Sequence, residues 1–230
     1  MIDMDFSPLW ISIKTAMTAT AITFFLGIIA AKFIGEYKGK LKGVIDGILM
    51  LPMILPPTIV GFFLLIIFGK NGPIGKILYK MGTQIIFSWP ATVIAASVIA
   101  FPIMYKTSKG AFEQLDRNII YAARTLGVSE WKIFWRIMVP LAWPGIASGT
   151  VLAFARALGE FGATLMIAGN IPGKTQTMPI AIFFASEGGE TNKAILWVVL
   201  IFLIAIIAMI LMNWRNNYQQ KNIYAIGSGK

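Results

Sequence analysis

Five stretches of this chain are long and apolar enough to cross a lipid bilayer, and no other feature constrains its fold as strongly. A helix that spans a hydrocarbon core about 30 Å thick needs about 20 mostly apolar residues. Residues 10–34, 45–68, 89–105, 143–168 and 194–214 meet that need. The last is the cleanest, with no charge between Lys193 and Arg215. Residues 180–185 are apolar but too short to cross, and read as a short helix or re-entrant piece at the surface. Lipid offers no partner to free backbone N–H and C=O groups, so spans of this kind are helical. The expectation is an all-α membrane protein, a single domain over 1–230 with five transmembrane helices.

Composition narrows the chemistry. Cysteine and histidine are both absent, which removes disulfides, structural zinc, thiol nucleophiles and imidazole acid–base catalysis. No metal site is expected. The net charge of +10 would suggest nucleic acid in a soluble protein, but here the position of each charge matters first. With the N-terminus outside, the inner segments hold thirteen Lys and Arg, Lys32 at the edge of the first span counted among them, and the outer segments five. Lys14 and Arg156 fall inside spans, and Lys14 lies near enough to the outer end to snorkel. The asymmetry predicts a multi-pass protein of the cell membrane with its N-terminus outside and its C-terminus cytoplasmic. Its basicity is then an orientation signal, aided by anionic lipid, and calls for no nucleic acid. Asp3 and Asp5 stand where a cleavable signal peptide would carry basic residues.

Small residues mark helix contacts. Thr15, Ala19, Thr23, Gly27, Ala31 and Gly35 recur every four residues in the first span, and Gly145, Gly149, Ala153 and Ala157 do so in the fourth. Such seams let backbones approach closely, either for packing within the bundle or at a moving or dimer-forming surface. Pro52, Pro56 and Pro57 must break or kink the second span and release carbonyls. Those carbonyls are tolerable only against protein or a watery cavity.

Residues 113–138 are too polar for lipid, yet helical in pattern. Asp116 can cap a short helix that carries Ile119, Ala123 and Leu126 on one face and ends at Gly127. Ser129 can cap a second, with Trp131, Phe134, Trp135 and Met138 on one face. Two short helices with a glycine elbow make a knob that could dock in a groove on a soluble partner or lie on the lipid surface.

Specific residues carry a resemblance. Tyr121-Ala122-Ala123, then Gly127, then Ile137-Met138-Val139-Pro140, resembles the EAA motif of ABC-importer permeases, which runs Glu-Ala-Ala, three residues, Gly, nine residues, Ile-x-Leu-Pro. Tyr121 stands for the family's Glu and Val139 for its Leu. In that family the segment is the coupling helix seated on the ATPase subunit, which assigns Tyr121, Ala122, Ala123, Gly127, Trp131, Ile137 and Pro140 to ATPase coupling. Residues 51–61, Leu-Pro-Met-Ile-Leu-Pro-Pro-Thr-Ile-Val-Gly, are similar to the second span of molybdate permeases. Residues 152–164, from Leu152 to Thr164, resemble their gate-forming helix, and residues 169–179 the loop after it. Sulfate permeases share the first part of this region, and the Ile-Pro-Gly-Lys-Thr-x-Thr run fits the molybdate branch better. The resemblance implies a type I importer permease fold, a homodimer, two ABC ATPase subunits that hold the ATP and Mg²⁺, and an external oxyanion-binding protein. No cofactor is expected in this chain. Ile171, Pro172, Gly173, Lys174 and Thr175 become a docking element for the binding protein.

Gly173-Lys174-Thr175 is not a nucleotide loop. A Walker A motif needs glycine where Ala168 stands, and a preceding strand. Arg156 and Glu160 lie four residues apart deep in the fourth span, where each charge costs at least ~2.5 kcal/mol, so they are expected to pair. The pair is either structural or a gate element whose partners change with state. Ser148, Thr150 and Thr164 are candidate hydrogen-bond donors to a passing oxyanion. The leading expectation is the permease of a molybdate or tungstate importer, with a sulfate permease as the alternative. A secondary transporter would need midplane carboxylates or inverted repeats, and only Glu160 qualifies. A membrane enzyme would need groups this chain lacks.

Overall fold

A computed structural model describes residues 5–227, with side chains described from Asp5 to Ile210. Asp3 and Lys230 lie outside the described residues, and the side chains of Arg215 and Lys221 lie outside those described. The described chain is helix and turn with no strand. Three helices are long and apolar enough to cross a membrane unbroken, α1 (Ser7–Glu36), α5 (Trp89–Glu113) and, over Thr191–Ile210, α12 (Thr191–Gly227). Between them lie α2 (Lys42–Ile54), α3 (Pro57–Phe68), α4 (Pro73–Lys80), α6 (Arg117–Thr125), α7 (Glu130–Ile133), α8 (Val139–Leu141), α9 (Trp143–Leu158), α10 (Gly162–Ala168) and α11 (Met178–Glu187). Six helices outside the insert, α1, α3, α4, α5, α9 and α11, carry proline in their first two positions. There the missing N–H has no helical partner to lose and the fixed φ favours the first turn.

Helix α5 is the centre. The seam of α1 faces it: Thr15 Oγ1 lies 2.9 Å from Thr92 Oγ1, and a methyl group on Gly27 would come within 2.7 Å of Met104. The seam of α9 grips the opposite side, where a methyl on Gly149 would meet Thr107 Oγ1 at 2.0 Å and one on Gly145 would meet Ala111 at 2.6 Å. Both seams therefore serve packing inside one chain. At Gly35 the first seam has already run out, and a methyl group there would meet nothing within 4 Å.

Two of the expected spans are broken. The second bends by 109° between α2 and α3, where Pro56 and Pro57 supply no N–H to continue the ladder. The fourth, expected as one helix over 143–168, stops at Leu158 and restarts at Gly162. The third runs through Glu113, well past residue 105, so α5 leads directly into the insert. The second halves of the two broken spans pack on each other. A methyl on Gly61 of α3 would lie 2.7 Å from Ala163 Cα of α10, and one on Gly162 would lie 3.2 Å from Thr58. Val60, Leu64, Ala163 and Ile167 join Ala91, Ala95 and Ile99 of α5 in a small core of their own. The larger core gathers α1, Ala96, Ala100 and Met104 of α5, the insert, α9, α11 and α12. Residues 180–185 sit inside α11, which buries Ile180 and Ala181, and the Met178 N–H is donated to Ser12 Oγ of α1 at 2.7 Å.

The clasp around α5 predicts a contrast between two glycines. Gly149→Val should lower the melting temperature of the detergent-solubilised protein markedly, since overpacking costs about 1–3 kcal/mol. Gly35→Ala meets nothing and removes a flexible residue, so it should leave the melting temperature unchanged or raised. Equal behaviour of the two variants in a thermal melt would contradict the packing described.

Candidate functional site

The insert is fastened by its own backbone. Asp116 accepts from the Asn118 N–H at 2.9 Å and caps α6. At the other end the N–H of Gly127 is donated to the Arg124 carbonyl at 2.9 Å and that of Val128 to the Ala123 carbonyl at 3.1 Å. That pair of bonds is a Schellman motif, and it requires the left-handed backbone Gly127 adopts, φ 72°. Arg124 then bridges the elbow: Nε lies 2.6 Å and Nη2 2.9 Å from the two Glu130 carboxylate oxygens. This bond holds the Glu130 carboxyl below its ordinary value and the Arg124 guanidinium above its own. Ser129 occupies the cap position of α7, but its side chain makes no cap bond. Arg124 and Glu130 close the turn instead.

Past α7 the chain widens into a π-helical turn over Phe134–Met138, closed by the Val139 N–H on the Phe134 carbonyl. Pro140 follows at once, and its ring would press on the carbonyl four residues back in a regular helix. The wider turn makes room for it. The aromatic face expected over Trp131, Phe134, Trp135 and Met138 divides into two tasks. Phe134 and Met138 are buried and anchor the insert, with Phe134 packed 5.7 Å from the Phe112 ring of α5. Trp131 is exposed, as are Tyr121, Ile119 and Leu126, the last at 82%. Ala123 is buried beneath them, Ala122 and Pro140 are exposed, and Ile137 is partly buried against the core. The insert thus presents an apolar outer face on a rigid, well-anchored base.

Arg156 and Glu160 do meet. Arg156 Nη1 lies 2.9 Å from Glu160 Oε2, with the glutamate side chain 1% exposed. They are not two steps along one helix, because Arg156 closes α9 and Glu160 lies in the break after it. The other Glu160 oxygen accepts the Ala163 N–H at 2.8 Å. A carboxylate at the start of α10 satisfies a donor the helix itself leaves open and suits its positive end. Glu160 therefore pins both sides of the break. The hydroxyls expected beside it are differently used. Ser148 donates to the Pro144 carbonyl at 2.9 Å and Thr150 to the Ile146 carbonyl at 2.8 Å, each one turn back along α9. Their protons are committed to the helix rather than offered to a passing anion. Thr164 is buried on α10.

The loop after α10 turns on Gly169 and Gly173, both with positive φ. Pro172, Gly173 and Lys174 are exposed and Ile171 is partly so. Thr175 is a correction: it is fully buried, and its hydroxyl accepts the Ile171 N–H at 3.1 Å. It holds the loop together and offers no surface to a partner. Lys14 sits over the Trp89 ring at 4.1 Å.

Sequence reasoning missed two polar residues. Asp46 on α2 takes the Lys109 ammonium at 2.6 Å and the Tyr105 hydroxyl. Helix α2 buries no side chain fully, so this bridge to α5 is its main tether. An acidic residue in an apolar span was the available signal. Lys32 is buried at the inner end of α1, with its ammonium 4.6 Å from the centre of the Phe134 ring.

Breaking the Arg156–Glu160 pair from one side strands a charge in a dry site. Arg156→Ala should therefore lower stability and transport more than Arg156→Ala combined with Glu160→Gln, which removes the charge and keeps an acceptor for Ala163. Equal, additive losses in a double-mutant cycle on transport rate and melting temperature would show no coupling.

Comparison with known proteins agrees with this arrangement. Residues 23–221 match the family described as the binding-protein-dependent transport system inner membrane component. The chain is 37% identical over 223 residues to the molybdenum transport system permease protein ModB of Haemophilus influenzae, covering 96% of this chain and 97% of that one. It is 40% identical over 215 residues to ModB of Escherichia coli K12, covering 92% and 93%. The inward-facing MetNI methionine ABC transporter superposes with a TM-score of 0.73 at 14% identity, over 92% of this chain and 94% of that one. That likeness bears on the fold alone, which is that of a type I ABC importer permease. The chain belongs to the binding-protein-dependent transport system inner membrane component family, whose members are membrane transport subunits and not ATP-hydrolysing enzymes.

Proposed function

We propose that this chain is the permease subunit of an ATP-driven importer that carries molybdate, or its close analogue tungstate, by alternating access. One observation carries the reading. The insert holds an exposed apolar face of Ile119, Tyr121, Leu126 and Trp131 on a rigid base, in a chain 37% and 40% identical, over more than nine-tenths of its length, to two molybdenum transport permeases, against 31% to a probable sulfate transport permease. That face docks in a groove of a separate ATPase, which supplies ATP and Mg²⁺. Tyr121 stands where the motif has glutamate, with Arg124 5.9 Å from its ring centre, so the contact there is aromatic and cationic rather than acidic. One chain carries one insert, so a homodimer presents two inserts to two ATPase subunits. The N-terminus lies outside and the C-terminus inside, with the outer loop at Pro172–Lys174 facing an oxyanion-binding protein.

Nucleotide binding draws the two inserts together. The insert continues into α5 on one side and α9 on the other, so the displacement reaches the bundle centre. The breaks at Pro56 and Gly159 let α3 and α10 change their angle to the remainder, and Glu160 exchanges partners as the passage opens. Ser148 and Thr150 already donate to their own helix, so the passage offers few fixed donors and does not trap the anion. Selection among tetrahedral dianions then falls to the binding protein, whose closed cavity can measure size.

The test reconstitutes the permease and its ATPase with the native binding protein in proteoliposomes. Hydrolysis stimulated by molybdate- or tungstate-loaded binding protein, and not by sulfate, is the expected result. Response to sulfate alone would move the chain to sulfate transport, and no response to any oxyanion would end the substrate assignment.

A further inference from the structure

The inner ends of α1 and α5, the start of α2 and helix α6 enclose a cavity of about 360 Å³. Six cations reach its wall: Lys32, Lys38, Lys42, Lys109, Arg117 and Arg124. Lys109 is paired with Asp46 and Arg124 with Glu130. The other four share the cavity with two carboxylates, Glu36 and Glu113, which leaves an excess of two positive charges; of these four, Lys42 also donates to the neutral Gly35 carbonyl at 2.9 Å, which leaves its charge in place. Lys32 is the unusual member. It is 7% exposed, and no carboxylate among the described residues lies within ion-pair distance of it. Its ammonium rests on the faces of Phe134 and Trp131, at 4.6 and 5.7 Å from the ring centres. Ring faces attract a cation without neutralising it, and the one carboxylate whose charge Lys32 is seen to act on, Glu130, lies beyond ion-pair distance and is already held by Arg124. A buried, unpaired lysine is costly, and a cavity that brings other cations to the same place raises the cost.

We propose that this cavity binds a phosphate-type oxyanion group, with Lys32 at its floor and Lys42 and Arg117 at its mouth. Such a group brings the negative charge the cavity lacks. It is also slender enough to reach a lysine this buried. Phe33, Leu41 and Val44, exposed apolar residues of the same helices and their connection, place the mouth at the level where lipid headgroups meet the protein. Basic pockets between spans at the cytoplasmic side commonly take headgroups. The same chemistry would accept free phosphate or another tetrahedral dianion from the cytoplasm. Because Phe134 anchors the insert and Lys32 lies on its ring, filling the cavity stiffens the insert and links its position to the occupant. The proposal rests on the charge arrangement and stands apart from the identity of the transported anion.

The experiment uses the permease–ATPase complex, purified in neutral detergent, as wild type and as the double variant Lys42→Gln, Arg117→Gln. Neither residue anchors the insert, so the variant complex should assemble, whereas Lys32→Met serves as a second variant at the floor. Native mass spectrometry after exposure to phosphatidylglycerol or phosphatidylcholine reads the lipid arm, and a thermal melt with inorganic phosphate reads the free-anion arm. Wild type should retain phosphatidylglycerol over phosphatidylcholine by roughly tenfold or more, and the double variant should lose most of that preference. A phosphate-dependent rise in melting temperature in wild type and not in the variants, without lipid retention, would support the site with a free oxyanion as its source. Wild type and variants alike in both arms would overturn the proposal. Loss of the ATPase subunit from the double variant with lipid retention intact would also overturn it, by making the cavity a protein contact.

Discussion

Close backbone approach around α5 is the interaction on which the rest of this structure depends. Lipid tails are as apolar as leucine, so no hydrophobic force drives one span onto another. Contact must come from dispersion, and dispersion needs atoms near one another. The seam Thr15, Ala19, Thr23, Gly27 and Ala31 gives α1 that proximity on one side of α5, and Gly145, Gly149 and Ala153 give it to α9 on the other. The insert links the C-terminal end of α5 to the start of α9, so it is continuous with two of the helices in this clasp.

The broken spans answer a second constraint. Each break frees backbone groups that lipid cannot satisfy. At Pro56 and Pro57 the donors are simply missing, while at the other break Glu160 accepts the Ala163 N–H and neutralises Arg156 with the same carboxylate. The halves beyond the breaks, α3 and α10, are bound to each other and to the N-terminal half of α5, in a small core beside the main one. Both cores are built on the continuous helix α5, so the breaks divide the second and fourth spans while α5 holds the two cores together.

Much of this was legible in the sequence. The apolar runs and prolines announced the spans and the first break, and Gly127 announced the left-handed end of α6 because glycine adopts that backbone without the steric cost a Cβ brings. The break at Gly159 was hidden, since it carries no proline and sits in an apolar run. Its signal was Glu160, read as half of an ion pair when it also caps the next helix. Asp46 and Lys32 were missed for a different reason. Asp46 meets Tyr105 and Lys109, 59 and 63 residues away, and periodicity along one helix carries no information about contacts that distant. Ser148, Thr150 and Thr175 were read by their chemistry, but hydroxyls on or near a helix are often taken by the nearest backbone group, as all three are here.

The central claim is that the insert and the glycine-rich loop face opposite sides of the membrane, one toward the ATPase and one toward the binding protein. The chain has no cysteine, so single thiols can be placed without background. Ser129→Cys and Lys174→Cys, both at exposed positions, can each be treated with a membrane-impermeant maleimide in intact cells and in inverted vesicles. The account predicts labelling of Ser129→Cys only in inverted vesicles and of Lys174→Cys only in intact cells. Labelling of both from the same side would contradict it.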